Sequence, residues 1–253
     1  MDIGKVLRVD PENRVEVLLL AREQETTGGR PEGRVAIFRV CAELERGTTM
    51  ETSIRQLFDE ALAAAEQFCK AVPEVAVFQG WPSDIEWAGK APVAIPAIDL
   101  VTSDPGREAD GTAADGEIRR LQRAIMAIAP HAEWRLTYTE EEVGADFLNR
   151  FGWFELVGPD GHFRSSQTRM TIGYWGDNLH YPWHEHQPEE LYCILSGEAA
   201  FMAKGEPDCI VSAGQTKLHK VLQPHAMTTT DQPILCFVLW RGEGLADDPR
   251  MSA

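Results

Sequence analysis

The stretch that decides the fold is Tyr181-Pro-Trp-His-Glu-His-Gln-Pro-Glu-Glu-Leu-Tyr-Cys-Ile-Leu-Ser-Gly197. On a strand, residues two apart leave the same face, so His184 and His186 present their imidazoles together. Glu190 and Tyr192 are again two apart and share a face of the next strand segment, with Pro188 marking the bend between them. Cys193 follows Tyr192 and is predicted to point to the opposite face. Two imidazoles and a carboxylate, completed by one later histidine, make a first-row metal site with positions left open for a substrate.

Five of the seven histidines fall between residues 180 and 225. His225, preceded by Pro224, is the preferred fourth ligand. His219 competes with it, although Lys217 and Lys220 lie close by and a metal site does not favour extra positive charge. Around this cluster, short β-like runs alternate with Gly, Pro and Asp turns, among them Arg169-Met-Thr-Ile-Gly-Tyr-Trp, Ala199-Ala-Phe-Met-Ala and Ile234-Leu-Cys-Phe-Val-Leu-Trp. Strands at this spacing predict an antiparallel sandwich or small barrel over residues 151–242. Residues 243–253 are predicted to be a loose tail.

Upstream, residues 51–150 read as a largely helical region packing on the barrel. Ile54, Leu57, Phe58, Ala61, Leu62, Ala65, Phe68, Cys69 and Val72 form one amphipathic stripe, ended by Pro73. Ile118, Leu121, Ile125 and Ile128 form a second, ended by Pro130, with a flexible loop predicted over residues 103–116 between them. Thr139 and Glu142 make a capping box at the start of a short third helix. Residues 1–50 form a β-like extension, with strands at Arg14-Val-Glu-Val-Leu-Leu-Leu-Ala and Arg34-Val-Ala-Ile-Phe-Arg-Val about a turn-rich stretch over 25–33.

Composition excludes several classes. The 253 residues carry 24 Lys and Arg against 40 Asp and Glu, a formal charge of −16, which matches neither a nucleic-acid backbone nor an anionic membrane surface. The apolar runs are too short to span a bilayer. Five scattered cysteines without a CxxC pair, and no apolar leader after Met1, point to a reducing cytoplasm.

His184, His186, Glu190 and Gly197 satisfy the spacing His-x-His-x3-Glu-x6-Gly, which resembles the first motif of the cupin superfamily. The fold this implies is mainly β: a small antiparallel β-barrel, or double-stranded β-helix, behind an N-terminal helical and mixed extension. The second cupin motif departs from the pattern, with Ser212 in place of proline and Lys217 in place of histidine. A narrower resemblance, over residues 130–242, is to the cupin-type dimethylsulfoniopropionate (DMSP) lyases. It rests on the Tyr-Pro-x-His-x-His opening, Glu190-x-Tyr192, Pro224-His225-Ala-Met, Trp240 closing the last strand, Phe154-Glu-Leu-Val-Gly-Pro-Asp-Gly161 and Tyr174-Trp-Gly176.

That resemblance implies β-elimination of DMSP to dimethyl sulfide and acrylate. It makes His184, His186, Glu190 and His225 the ligands of one divalent ion, Zn²⁺, Fe²⁺, Mn²⁺ or Ni²⁺, and Tyr192 or Tyr181 the general base. Aromatic faces bind a sulfonium, and Trp240, Tyr174, Trp183 and Phe201, with Trp175, are the candidates. The cupin analogy allows a homodimer. The same ligand set also serves a dioxygenase or an isomerase, and a non-catalytic ligand-binding cupin is the alternative from another class.

Overall fold

Alternating apolar residues near the N-terminus form a three-stranded antiparallel sheet, β1 (Ile3–Val9), β2 (Val15–Arg22) and β3 (Val35–Val40), in the order β1-β2-β3. β2 and β3 are the two expected strands; β1 is additional, its apolar pattern diluted by Gly4, Lys5 and Arg8. The computed structural model describes residues 3–9, 15–22, 35–40, 46–103, 106, 108–111 and 114–252. The expected turn over 25–33 lies outside the described residues, as do residues 104, 105, 107, 112 and 113 of the expected loop. The chain divides into two units, Met1–Ser53 and Ile54–Ala253.

The helices follow in chain order. α1 (Arg46–Ala71) is followed directly by α2 (Pro73–Phe78), where Pro73 takes the first helical turn, the position that tolerates a missing N–H. The two-residue β4 (Glu86–Trp87) and α3 (Ile98–Ser103) precede α4 (Asp115–Ile128), whose buried face is Ile118, Leu121, Gln122, Ile125 and Ile128. α5 (Glu140–Val143) begins at the expected capping box: the Thr139 backbone N–H donates to Glu142 Oε2 at 2.8 Å. α6 (Ala145–Arg150) then runs into the strands.

Those strands are β5 (Phe151–Gly158), β6 (Phe163–Arg164), β7 (Arg169–Trp175), β8 (His180–Glu185), β9 (Glu189–Ser196), β10 (Glu198–Ala203), β11 (Cys209–Ser212), β12 (Thr216–His219), β13 (His225–Thr229), β14 (Ile234–Arg241) and β15 (Arg250–Met251). They build two sheets, ordered β11-β10-β13-β8-β15 and β12-β9-β14-β7-β5-β6-β4. Pairing is antiparallel except between β5 and β6. The fold is the mainly β cupin arrangement, but as two facing sheets not closed into one hydrogen-bonded barrel.

The larger sheet is covered on both sides, so its strands read as continuous apolar runs. Leu235, Phe237 and Leu239 of β14, with Leu191, Cys193 and Leu195 of β9, pack against the helices, and Phe237 meets Phe68 of α1 edge-on at 5.7 Å. Cys236, Val238 and Trp240 turn the other way with Tyr192 and Ile194, into the space between the sheets. The site occupies this inner space.

The C-terminal residues are not a loose tail. β15 pairs with the edge of β8, Met251 opposite His184, and the Ser252 N–H donates to Trp183 O at 2.9 Å. Arg250 adds a pair with Glu185 at 2.6 Å. Backbone pairing to an open edge needs no apolar run, which is why the sequence gives no sign of it.

Gly197, which closes the motif, turns the chain from β9 to β10 with φ +78, and a Cβ there would lie 1.9 Å from Pro233 O. Gly197→Ala is therefore expected to destabilise the fold by about 1–3 kcal/mol or more, through left-handed strain and the clash with backbone. Denaturant unfolding measures this; an unchanged midpoint would contradict it.

Candidate metal centre and active site

β8 and β13 bring the histidines together, with His184 opposite His225 in their register. The register slips before Met227 meets Tyr181, so β8 carries an extra residue, a β-bulge. The bulge lets Tyr181 and His184, three apart, face the same space. Tyr181 lies on β8, and its ring stacks on His184 at 4.0 Å. Glu190 enters from β9 of the other sheet.

His184, His186 and His225 are buried, and one nitrogen of each lies within 4.8 Å of the others. Their Nδ1 atoms are each set against a backbone carbonyl: Pro182 at 2.8 Å, Pro188 at 2.9 Å and Gln223 at 2.8 Å. A carbonyl only accepts, so each Nδ1 carries the proton, and Nε2 is left with a lone pair facing inward unless a second proton is taken up. Glu190 Oε2 lies 3.1 Å from His186 Nε2 and 3.1 Å from His225 Nε2. The contact with His225 lies outside hydrogen-bond geometry, and that nitrogen is buried without a hydrogen-bond partner among the described residues. A bare nitrogen lone pair facing a carboxylate oxygen at that distance is repulsive unless a cation lies between. The donor set therefore fits a divalent ion with mixed N/O ligands.

Without an ion, the charges of these groups are set by burial and by one another. Burial, and then His225, push the His184 imidazole well below its ordinary value. Burial also lowers His186, but the Glu190 carboxylate more than offsets it and the net shift is upward. Burial raises Glu190, yet its two histidine neighbours hold it well below the usual carboxylate range.

His219 stacks on His225 at 3.9 Å with the rings 12° apart. Glu190, His219 and His225 also offer ligand atoms within 4.8 Å of one another, but lone pairs lie in the ring plane, so two nearly parallel, stacked imidazoles are poorly set to share one ion. His219, completely buried and lowered to about 2 chiefly by burial, packs behind His225.

The adjoining cavity is lined by Thr137, Phe151, Trp153, Arg169, Thr171, Gly173, Trp175, Tyr181, Glu190, Tyr192, Val238, Trp240 and Pro249. Both candidate bases are on its wall. Burial pushes both phenols well above their ordinary value, aided by Glu190 at Tyr192 and by Tyr138 at Tyr181. Tyr138, which sequence reasoning missed, shares a 2.7 Å hydrogen bond between hydroxyls with Tyr181. It lies 43 residues upstream, and no local spacing signals it.

The aromatic candidates separate. Trp240 lines the cavity, but its Nε1–H donates to Glu190 Oε1 at 2.8 Å and its ring is engaged by His186 at 4.3 Å and by the Arg169 guanidinium at 4.7 Å. Phe201 packs between the sheets against Tyr192 at 5.3 Å. Tyr174 does not line the cavity; it lies in the helix-facing core, because β7 alternates Arg169, Thr171, Gly173 and Trp175 inward with Met170, Ile172 and Tyr174 outward. Trp183 is half-buried on the outer side, under Lys204 Nζ at 5.0 Å. His162, away from this cluster, is buried against Phe58 at 4.2 Å and lowered to about 4 by burial.

The family model for dimethylsulfoniopropionate lyase matches residues 106–236. The curated dimethylsulfoniopropionate lyase DddQ of Ruegeria pomeroyi is 36% identical over 186 residues, covering 74% of this chain and 90% of the relative. The chain belongs to the DMSP lyase family. The putative DMSP lyase DddL of Cereibacter sphaeroides is 27% identical over 150 residues, 58% of this chain and 61% of DddL. Among solved structures, one from a study of the DMSP lyases RdDddP and RnDddQII has 51% identity and a TM-score of 0.75, covering 79% of this chain and all of that one. The DMSP lyase DddQ structure from Ruegeria pomeroyi has 34% identity and a TM-score of 0.71, over 78% and 96% of the two chains. As a member of this lyase family the chain is an enzyme. Among the described residues no helix is long and apolar enough to cross a membrane.

Proposed function

We propose that this enzyme cleaves DMSP to dimethyl sulfide and acrylate by a metal-dependent β-elimination, with Tyr192 as the base. The observation that carries the reading is the set of inward-facing Nε2 atoms of His184, His186 and His225 gathered about the Glu190 carboxylate, which itself lines a cavity that also holds Tyr192.

The proton to be removed lies on the carbon next to a carboxylate and is a very weak acid. A divalent ion held by His184, His186, Glu190 and His225 would neutralise that carboxylate and favour the phenolate of the neighbouring tyrosine. Tyr192 follows Glu190 on the same face of β9 and takes the proton from the substrate carbon, while the C–S electron pair leaves with dimethyl sulfide. Tyr181 is the less suited base, because its hydroxyl is tied to Tyr138 and its ring is stacked on His184.

Headspace dimethyl sulfide from metal-loaded protein given DMSP tests the reading; no release from fully metallated protein would remove DMSP as the substrate. Trp240 holds the outer oxygen of Glu190, so Trp240→Phe is expected to weaken metal retention roughly 10- to 100-fold. Competition against a chelator measures this, and unchanged affinity would make Trp240 a packing residue.

A further inference from the structure

Three tryptophans line the cavity, and indole nitrogen can only donate. Trp153 donates to Thr137 Oγ1 at 2.7 Å, and Trp240 to Glu190 Oε1 at 2.8 Å. The Nε1–H of Trp175 is buried and has no acceptor among the described residues. Buried donors are rarely left in this state unless something outside the chain completes them.

The ring position is specified by the sequence. Gly173 lies two residues earlier on β7, on the same face, and a Cβ there would come within 2.5 Å of Trp175 Cη2 and Cζ3. The indole therefore lies over bare backbone, in space that a side chain would fill. It is held among Phe151, Tyr181 and Tyr192, with ring centroids 5.4, 5.6 and 6.1 Å away. The indole that carries the donor thus packs against both candidate bases.

We propose that Trp175 binds the substrate carboxylate by donating its Nε1–H to one of the carboxylate oxygens. This rests on the DMSP reading above. A dimethylsulfonium group is cationic and does not accept a hydrogen bond, so the carboxylate is the one acceptor such a substrate brings. A donor placed here fixes which end of the substrate enters first and directs the sulfonium away from Trp175. Gly173 acts as a positioning residue by leaving room for the ring.

The test uses Zn²⁺-loaded protein labelled with ¹⁵N-tryptophan and titrated with acrylate, a carboxylate without a sulfonium. One indole N–H resonance is expected to move downfield, and to be missing in Trp175→Phe. That variant should bind acrylate at least about tenfold more weakly, as expected for a lost hydrogen bond to a charged group. Gly173→Ala, which displaces the ring but keeps the indole, should weaken binding in the same direction. Indole resonances that all stay fixed up to high acrylate, or a folded Trp175→Phe that binds acrylate as the parent does, would overturn the proposal. Failure of the DMSP reading looks different: no dimethyl sulfide from the parent protein, with the Trp175 resonance still shifted by acrylate. That result would leave the hydrogen bond standing and remove only the substrate.

Discussion

Tyr192→Phe is expected to lower dimethyl sulfide release by about 10²- to 10⁴-fold while leaving bound metal unchanged. The substitution removes one oxygen and almost no volume. The ring contacts with Trp175 at 6.1 Å and Phe201 at 5.3 Å are retained, so a loss of rate reports the phenol itself. Metal content, measured on the same sample, separates lost chemistry from a lost ion. The paired experiment is Tyr181→Phe, which removes the hydroxyl shared with Tyr138 and is expected to cost much less. A reversed order, with Tyr181→Phe inactive and Tyr192→Phe active, would move the base to β8.

Glu190→Ala is expected to abolish both metal retention and turnover. Glu190 is the carboxylate of the donor set, in contact with His186 and His225 through one oxygen and with Trp240 through the other. Its removal leaves three imidazoles without a counter-charge and the Trp240 N–H without its acceptor. Loss of outer partners alone typically costs metal sites 10- to 100-fold, so loss of the carboxylate itself should exceed about 100-fold. Elemental analysis after dialysis decides the matter. A variant that kept one ion per chain and lost only activity would make Glu190 a catalytic group and not a ligand.

The sequence made the histidine pair, Glu190, Tyr192 and the β-rich context readable, because a strand's period of two places His184 with His186 and Glu190 with Tyr192 without any tertiary information. It could not give the phase of the alternation. The run from Ile234 to Leu239 is apolar on both faces because helices cover one side of the sheet and a second sheet covers the other, so nothing local distinguishes Phe237 from Val238. Tyr174 and Trp175 are both candidates on sequence grounds, and only Trp175 lines the cavity, for the same reason. Trp183, next to His184, is turned away by simple alternation, while the bulge in β8 breaks that alternation to bring Tyr181 to the site. His219 against His225 needed ring geometry, which spacing does not carry. Tyr138 and Pro249 reach the site only through contacts distant in sequence.

The three carbonyls that orient the histidines belong to the backbone at Pro182, Pro188 and Gln223. No single side-chain replacement can delete a backbone acceptor, so the tautomer of each imidazole is insulated from mutational drift around it. The cavity wall has no such protection: Trp175, Phe151 and Thr137 act through side chains and can be exchanged one at a time. The enzyme therefore separates a backbone-borne means of presenting nitrogen from a side-chain-borne means of shaping the space in front of it. A lineage descended from this fold could change what it accepts while the orientation of its three imidazoles stayed fixed.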